Sequence, residues 1–159
     1  METLRHIEQL LLNSPKALII VRGVPGSGKS TFANLILDRI HCLSKIHPRM
    51  KTVDHFEADQ FFYKKYGKYE WKKEELSLAH AWCHLSTECS MMRENHVIVS
   101  NTFVKNDHIE PYIELAKKFG YNWVVVRATG KFDNVHNVPA EVVKRMENQI
   151  EHHPCEFFI

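Results

Sequence analysis

Apolar residues in this chain switch repeatedly between two spacings. Residues 2–13 carry Leu4, Ile7 and Leu11 among Glu2, Arg5 and Glu8, which is one helical face, and Ser14-Pro15 ends it. Residues 17–21, ALIIV, form a short continuous apolar run, as suits a strand buried on both faces. Helical spacing returns over residues 29–41 through Phe32, Leu35, Ile36 and Ile40. A loop with Pro48 spans residues 43–51, and TVDHFEA at 52–58 forms a second strand with Val53, Phe56 and Ala58 as its apolar members. An aromatic and lysine-rich segment follows, and residues 74–94 make a long helix. HVIVS at 96–100 is the third strand. Residues 107–119 form a helix on Ile109, Ile113, Leu115 and Ala116, stopped by Gly120. YNWVVVR at 121–127 is the fourth strand, and Pro139 opens a last helix to about residue 151, a good first-turn position for proline.

Strands separated by helices predict an α/β fold: a parallel four-stranded sheet sandwiched between helices, joined by right-handed crossovers. In such sheets ligands sit at the carboxyl ends of the strands, so the residues just after 21, 58, 100 and 127 are those to inspect. A length of 159 residues and 44% apolar composition predict one domain over 1–159, with its core at about 16–151.

The net charge of +2 neither demands nor excludes nucleic acid. Cys42, Cys83, Cys89 and Cys155 contain no C-x-x-C pair. The first residues are amphipathic rather than a leader-like apolar run, and no apolar stretch approaches the roughly 18 residues of a membrane span. These features predict a reduced, cytoplasmic protein with no membrane partner.

The loop after the first strand carries the chemistry. RGVPGSGKST at 22–31 contains Gly23-x4-Gly28-Lys29-Ser30, the phosphate-loop pattern, between a buried strand and a helix. Such a loop cradles an anion with backbone N–H groups at the positive end of a helix. Gly23, Pro25, Gly26, Ser27, Gly28, Lys29, Ser30 and Thr31 are therefore candidate ligands of ATP (or GTP), with Lys29 on the β- and γ-phosphates and the Ser30 hydroxyl on Mg2+. This is the P-loop NTPase fold. A motor ATPase would carry an acid at the end of an apolar strand, but VIVSN ends in Ser100 and Asn101; a GTPase would carry N-K-x-D, which is missing. A small phosphotransferase remains, and it needs a carboxylate near the γ-phosphate.

Asp59, just after the second strand, is the candidate general base for an acceptor hydroxyl; a helix cap or a ligand of a magnesium-bound water is the alternative. Asp54 lies too early in the strand, and Glu57 alternates away from Ala58. In FFYKKYGKYEWKK at 61–73, lysines interleave with Tyr63, Tyr66, Tyr69 and Trp71. This is either a surface for a nucleic-acid backbone and stacked bases or a solvated lid packed onto the core. His80, Cys83 and His84 share a helix face, but Leu78, Ala81, Trp82 and Leu85 around them indicate packing rather than zinc. The apolar tail HHPCEFFI folds onto the core or meets another chain.

Five stretches together resemble a known group: RGVPGSGKST, FEADQFF, GKYEW with ELSLAHAWC, VIVSNTF, and VHNVPAEVVKRM. The chain resembles P-loop kinases of the polynucleotide 5′-hydroxyl kinase type and the related short phage and bacterial AAA-ATPase-like and zeta-toxin-like proteins. The resemblance implies a four-stranded parallel core, ATP and Mg2+, and transfer of the γ-phosphate to a nucleic-acid 5′ end. It implies that Lys29 and Asp59 are catalytic, that Asn101 and Thr102 border the acceptor, and that residues 135–139, with His136 and Val138, lie close to the adenine. Two arginines of that group are missing. Phe62 stands where one holds the acceptor's phosphate, leaving Lys64 or Lys65 as substitutes. Asp133 stands near the lid arginine, leaving Arg127 or Lys131. A kinase for a nucleoside, sugar or other metabolite, and a nucleotide-binding module with little transfer, are the alternatives.

Overall fold

The computed structural model describes residues 2–47, 50–133 and 136–159. The elements follow in the order α1 (Glu2–Asn13), β1 (Ala17–Arg22), α2 (Lys29–Ser44), β2 (Val53–Phe56), α3 (Asp59–Tyr66), α4 (Leu76–Met92), β3 (His96–Asn101), α5 (Glu110–Phe119), β4 (Asn122–Arg127), α6 (Ala140–Gln149) and β5 (Glu156–Phe158). Short 3-10 turns precede α4 and α5. The sheet order is β2-β3-β1-β4-β5, and every neighbouring pair is parallel. It has five strands rather than the expected four. The added strand, β5, is the apolar tail lying along β4, with Val125 opposite Glu156 and Arg127 opposite Phe158.

β1 is central, and all six of its residues are buried. Its side chains alternate between two cores. Leu18 and Ile20 join Val97, Val99 and Val125 against Phe62, Ala79, Cys83, Ile109 and Ile113 on one face. Ile19 and Val21 join Ile98, Val124 and Val126 against Ile7, Leu11, Ala33, Ile36 and Ile40 on the other. Each fully buried aliphatic side chain contributes about 1.5–3 kcal/mol by leaving water, so the sheet is anchored where β1 runs. β1 therefore delivers Gly23 and the loop after it from the buried centre of the sheet.

The tail is held by charge as well as by the ladder. Arg22, buried at the end of β1, donates to the carbonyls of Phe103 (2.5 Å) and Val104 (3.0 Å) and to Asn106 Oδ1 (3.1 Å), and it stands 3.4 Å from Glu156 Oε2. Glu156, its side chain also fully buried, is shared with Arg127 at 3.7 Å and His152 at 2.8 Å. Burial lowers the Arg22 pKa and Glu156 raises it, so the pair belongs together. Among the described residues, no helix is long and apolar enough to cross a membrane.

Candidate active site

The loop between β1 and α2 has the shape its glycines require. Gly23 has φ +147°, and a Cβ there would sit 2.5 Å from Ser27 Oγ and 2.7 Å from the Ala128 carbonyl. Gly28 has φ +92°, and a Cβ there would sit 2.9 Å from Cε2 of Phe132. Only glycine allows this turn to close. α2 begins at Lys29 with no side-chain cap and no acid in its first turn, which leaves its leading N–H groups for an anion. Ser27 Oγ is buried and has no hydrogen-bond partner among the described residues. Lys29 Nζ donates to the Val24 carbonyl at 2.9 Å, inside its own loop. Burial pushes the Lys29 pKa down to about 8, against an upward pull from Glu57 and Asp59. An orphaned hydroxyl, an uncapped helix start and a desolvated ammonium in one cradle fit the phosphates of a nucleotide.

Across the loop's mouth stand two acids. β2 stops at Phe56, so the strand alternation expected through residue 58 does not reach Glu57. Glu57 therefore does not turn away. Its Oε1 accepts hydrogen bonds from Ser30 Oγ and from Ser100 Oγ, each at 2.6 Å. His55 Nε2 lies 2.7 Å from Ser100 Oγ, and burial keeps the His55 pKa low, with Glu57 pulling it the other way.

Asp59 opens α3. Its position is set from β3: the Ala58 N–H donates to Asn101 Oδ1 at 2.8 Å, and Asn101 is itself buried. Tyr69 OH donates to Asp59 Oδ1 at 3.3 Å, and His136 Nε2 lies 3.4 Å from Oδ2. The Tyr69 and His136 rings stack with centroids 4.3 Å apart. Burial and the Asp59 carboxylate push the Tyr69 pKa up, which keeps its hydroxyl a donor.

The other sequence candidates divide between the surroundings of the loop and other parts of the fold. Pro25 and Val138 line a cavity of about 340 Å³ beside the loop with Phe132, whose N–H donates to the Gly26 carbonyl at 2.8 Å. Thr102 offers its carbonyl to the Gly23 N–H at 3.2 Å. Thr31 and Lys131 are exposed, while Asn134 and Val135, the latter part of the adenine stretch, lie outside the described residues. His136, expected near the adenine, lies beside Asp59, with Nε2 3.4 Å from Oδ2.

The rest are held elsewhere. Phe62, in the place of the missing acceptor arginine, is core with no exposure. Lys64 lies over the Trp82 ring at 4.8 Å, Lys65 pairs with Glu75 at 2.7 Å, and Lys72 pairs with Glu70 at 3.1 Å. Arg127 is turned to Glu156 and the Phe158 ring. Cys83 is buried and accepts from Asn101, and His84 meets Tyr112 edge-on.

Sequence reasoning missed Glu57, Tyr69 and Phe132 as parts of the mouth. A strand ending one turn early would have exposed Glu57; Tyr69 and Phe132 carry no local signal.

A buried parallel strand, a glycine loop closing onto a lysine-led helix, and acids just after β2, the next strand but one, define a P-loop NTPase-like fold of the kinase-like kind. The chain belongs to the AAA domain family AAA_33, whose model matches residues 18–131. The uncharacterized protein PM0531 of Pasteurella multocida (strain Pm70) is 30% identical over 138 residues, covering 82% of this chain and 74% of that protein. Kti12 of Chaetomium thermophilum, solved with ADP-AlF3, shares the fold with a TM-score of 0.62 at 13% identity, covering 89% of this chain and 88% of that one. A chain of the Pnkp1/Rnl/Hen1 RNA repair complex shares it with a TM-score of 0.55 at 17% identity. That likeness covers 87% of this chain but only 40% of the other.

Proposed function

We propose that this chain is an ATP- and magnesium-dependent phosphotransferase that moves the γ-phosphoryl to a hydroxyl, with a nucleic-acid 5′-hydroxyl as its acceptor, and that residues 1–159 act as one domain. The observation that carries the reading is the cradle and its mouth: the glycine turn holds Lys29 Nζ 2.9 Å from the Val24 carbonyl, and the first serine of α2 donates to Glu57 Oε1 at 2.6 Å. The likeness to a chain of the RNA repair complex supports the choice of acceptor.

Bound Mg2+ would neutralise charge on the phosphates, and the Ser30 hydroxyl is the residue in the loop to hold it. The backbone N–H groups at the start of α2 and Lys29 hold the phosphate oxygens. Asp59 accepts the proton of the acceptor hydroxyl as that oxygen bonds to phosphorus and the bridging oxygen departs with its electron pair on ADP. Asn101, through the Ala58 N–H, fixes where α3 begins and so where Asp59 stands.

One observation favours a smaller acceptor. Lys64, Lys65 and Lys72 are already engaged by Trp82, Glu75 and Glu70, which weakens the case for a lysine row along a phosphate backbone. Incubation with γ-labelled ATP, 5′-hydroxyl oligonucleotides, nucleosides and sugars separates the two. Label on oligonucleotide ends supports the first reading, and label on a small molecule only replaces it with the second. Nucleotide binding with no product on any acceptor leaves a binding module. Asp59→Asn is expected to keep ATP affinity and lose transfer by roughly 10²–10⁴-fold.

A further inference from the structure

We infer that Glu57, not Asp59, is the acid that positions the divalent cation at this mouth, so that the two neighbouring carboxylates divide the work. The inference deepens the phosphotransferase reading and rests on it.

The hydrogen-bond directions lead to it. A serine hydroxyl has one hydrogen and two lone pairs. Ser30 Oγ gives its hydrogen to Glu57 Oε1, which leaves its lone pairs for a cation. Ser100 Oγ gives its hydrogen to the same oxygen and therefore takes one from His55 Nε2, which sets that ring with its proton on Nε2. Glu57 Oε1 accepts two hydrogen bonds at 2.6 Å, the arrangement of an ionised carboxylate. Among the described residues nothing donates to Oε2, so the far side of the carboxylate retains acceptor capacity.

Position supports the same division. The strand next to β1, β3, ends in Ser100 and Asn101 and brings no acid to the mouth. Ser100 instead reaches across to the end of β2 and holds one there. Asp59 is engaged by Tyr69 and His136, and among the described residues the Ser30 hydroxyl donates to Glu57 and not to Asp59. Partners that orient a metal-binding hydroxyl in this way typically govern metal affinity by 10–100-fold.

The test is a titration of Mn2+ into the full chain with ADP, following free Mn2+ by electron paramagnetic resonance, beside ADP binding without metal by calorimetry. Glu57→Gln is expected to lose tenfold or more in Mn2+ affinity while metal-free ADP binding holds or tightens. Glu57→Asp is expected to recover part of the loss, and Asp59→Asn to keep Mn2+ affinity within about twofold. Ser100→Ala, which releases Glu57 without touching its charge, is expected to weaken Mn2+ severalfold, and it decides the matter should Glu57→Gln fold poorly. Unchanged Mn2+ affinity in Glu57→Gln, an equal loss of metal-free ADP binding, or a larger loss in Asp59→Asn overturns the assignment. A wild-type chain that binds ADP neither with nor without metal overturns the phosphotransferase reading itself.

Discussion

His136 Nε2 lies 3.4 Å from Asp59 Oδ2, bringing the loop before α6 onto the first residue of α3. Its ring is stacked on Tyr69, whose hydroxyl holds the other oxygen of the same carboxylate. Each oxygen of the Asp59 carboxylate thus faces an aromatic group, and under the proposed transfer an acceptor hydroxyl would meet both. His136→Ala is expected to leave the nucleotide Kd within about twofold and to change the acceptor KM by about tenfold, the equivalent of roughly 1.4 kcal/mol. A loss confined to nucleotide affinity would return His136 to the adenine side. Steady-state kinetics with each substrate varied in turn make the measurement.

Lys29 sets a pH dependence. Its pKa falls from the ordinary 10.5 to about 8 in the folded chain. Between these values the unfolded chain holds a proton that the folded chain has released, so this group's effect on stability rises with pH from 8 to 10.5. Phosphates in the loop favour the charged form, so nucleotide binding takes up a proton in the same range. Affinity is expected to weaken about tenfold from pH 7 to pH 9. Lys29→Arg, if it still binds, is expected to lose that slope, because a guanidinium does not titrate there. Calorimetry in buffers of different ionisation enthalpy counts the proton directly.

Asn101 serves the site through the backbone. Replacing it by alanine leaves the Ala58 N–H, buried beneath α3, without its partner. A loss of about 1–3 kcal/mol is expected in urea unfolding. Transfer is expected to fall further than nucleotide affinity, since the displaced element carries Asp59 and not the loop.

Glu156 ties the tail to β1. Glu156→Ala leaves Arg22 buried without its carboxylate, though still bonded to Asn106 and two carbonyls. A loss of about 3 kcal/mol is expected. Conversion to Gln is expected to cost less, because it keeps an oxygen acceptor toward the guanidinium. Urea midpoints at neutral pH distinguish the three proteins.

Local pattern was enough to determine much of this protein. The apolar run at 17–21, the glycine loop, α2, β3, α5 with its Gly120 stop, and β4 all stand where spacing put them. Each depends on the chain's own period or on one residue's backbone freedom, and neighbours in sequence carry that information. Tertiary structure decided the rest. The strand at 52–58 ended at Phe56, so an alternation argument extended past it misplaced Glu57. Three residues of tail became β5 because Arg22 and β4 offered them a buried charge and an open edge. Lys64 and Arg127, expected as stand-ins for the two missing arginines, are held by Trp82 and Glu156. The pairing of His136 with Asp59 joins segments that meet only when the sheet is complete. Periodicity records which side of an element is buried. Which charge meets which, across elements far apart in the chain, depends on the packed geometry.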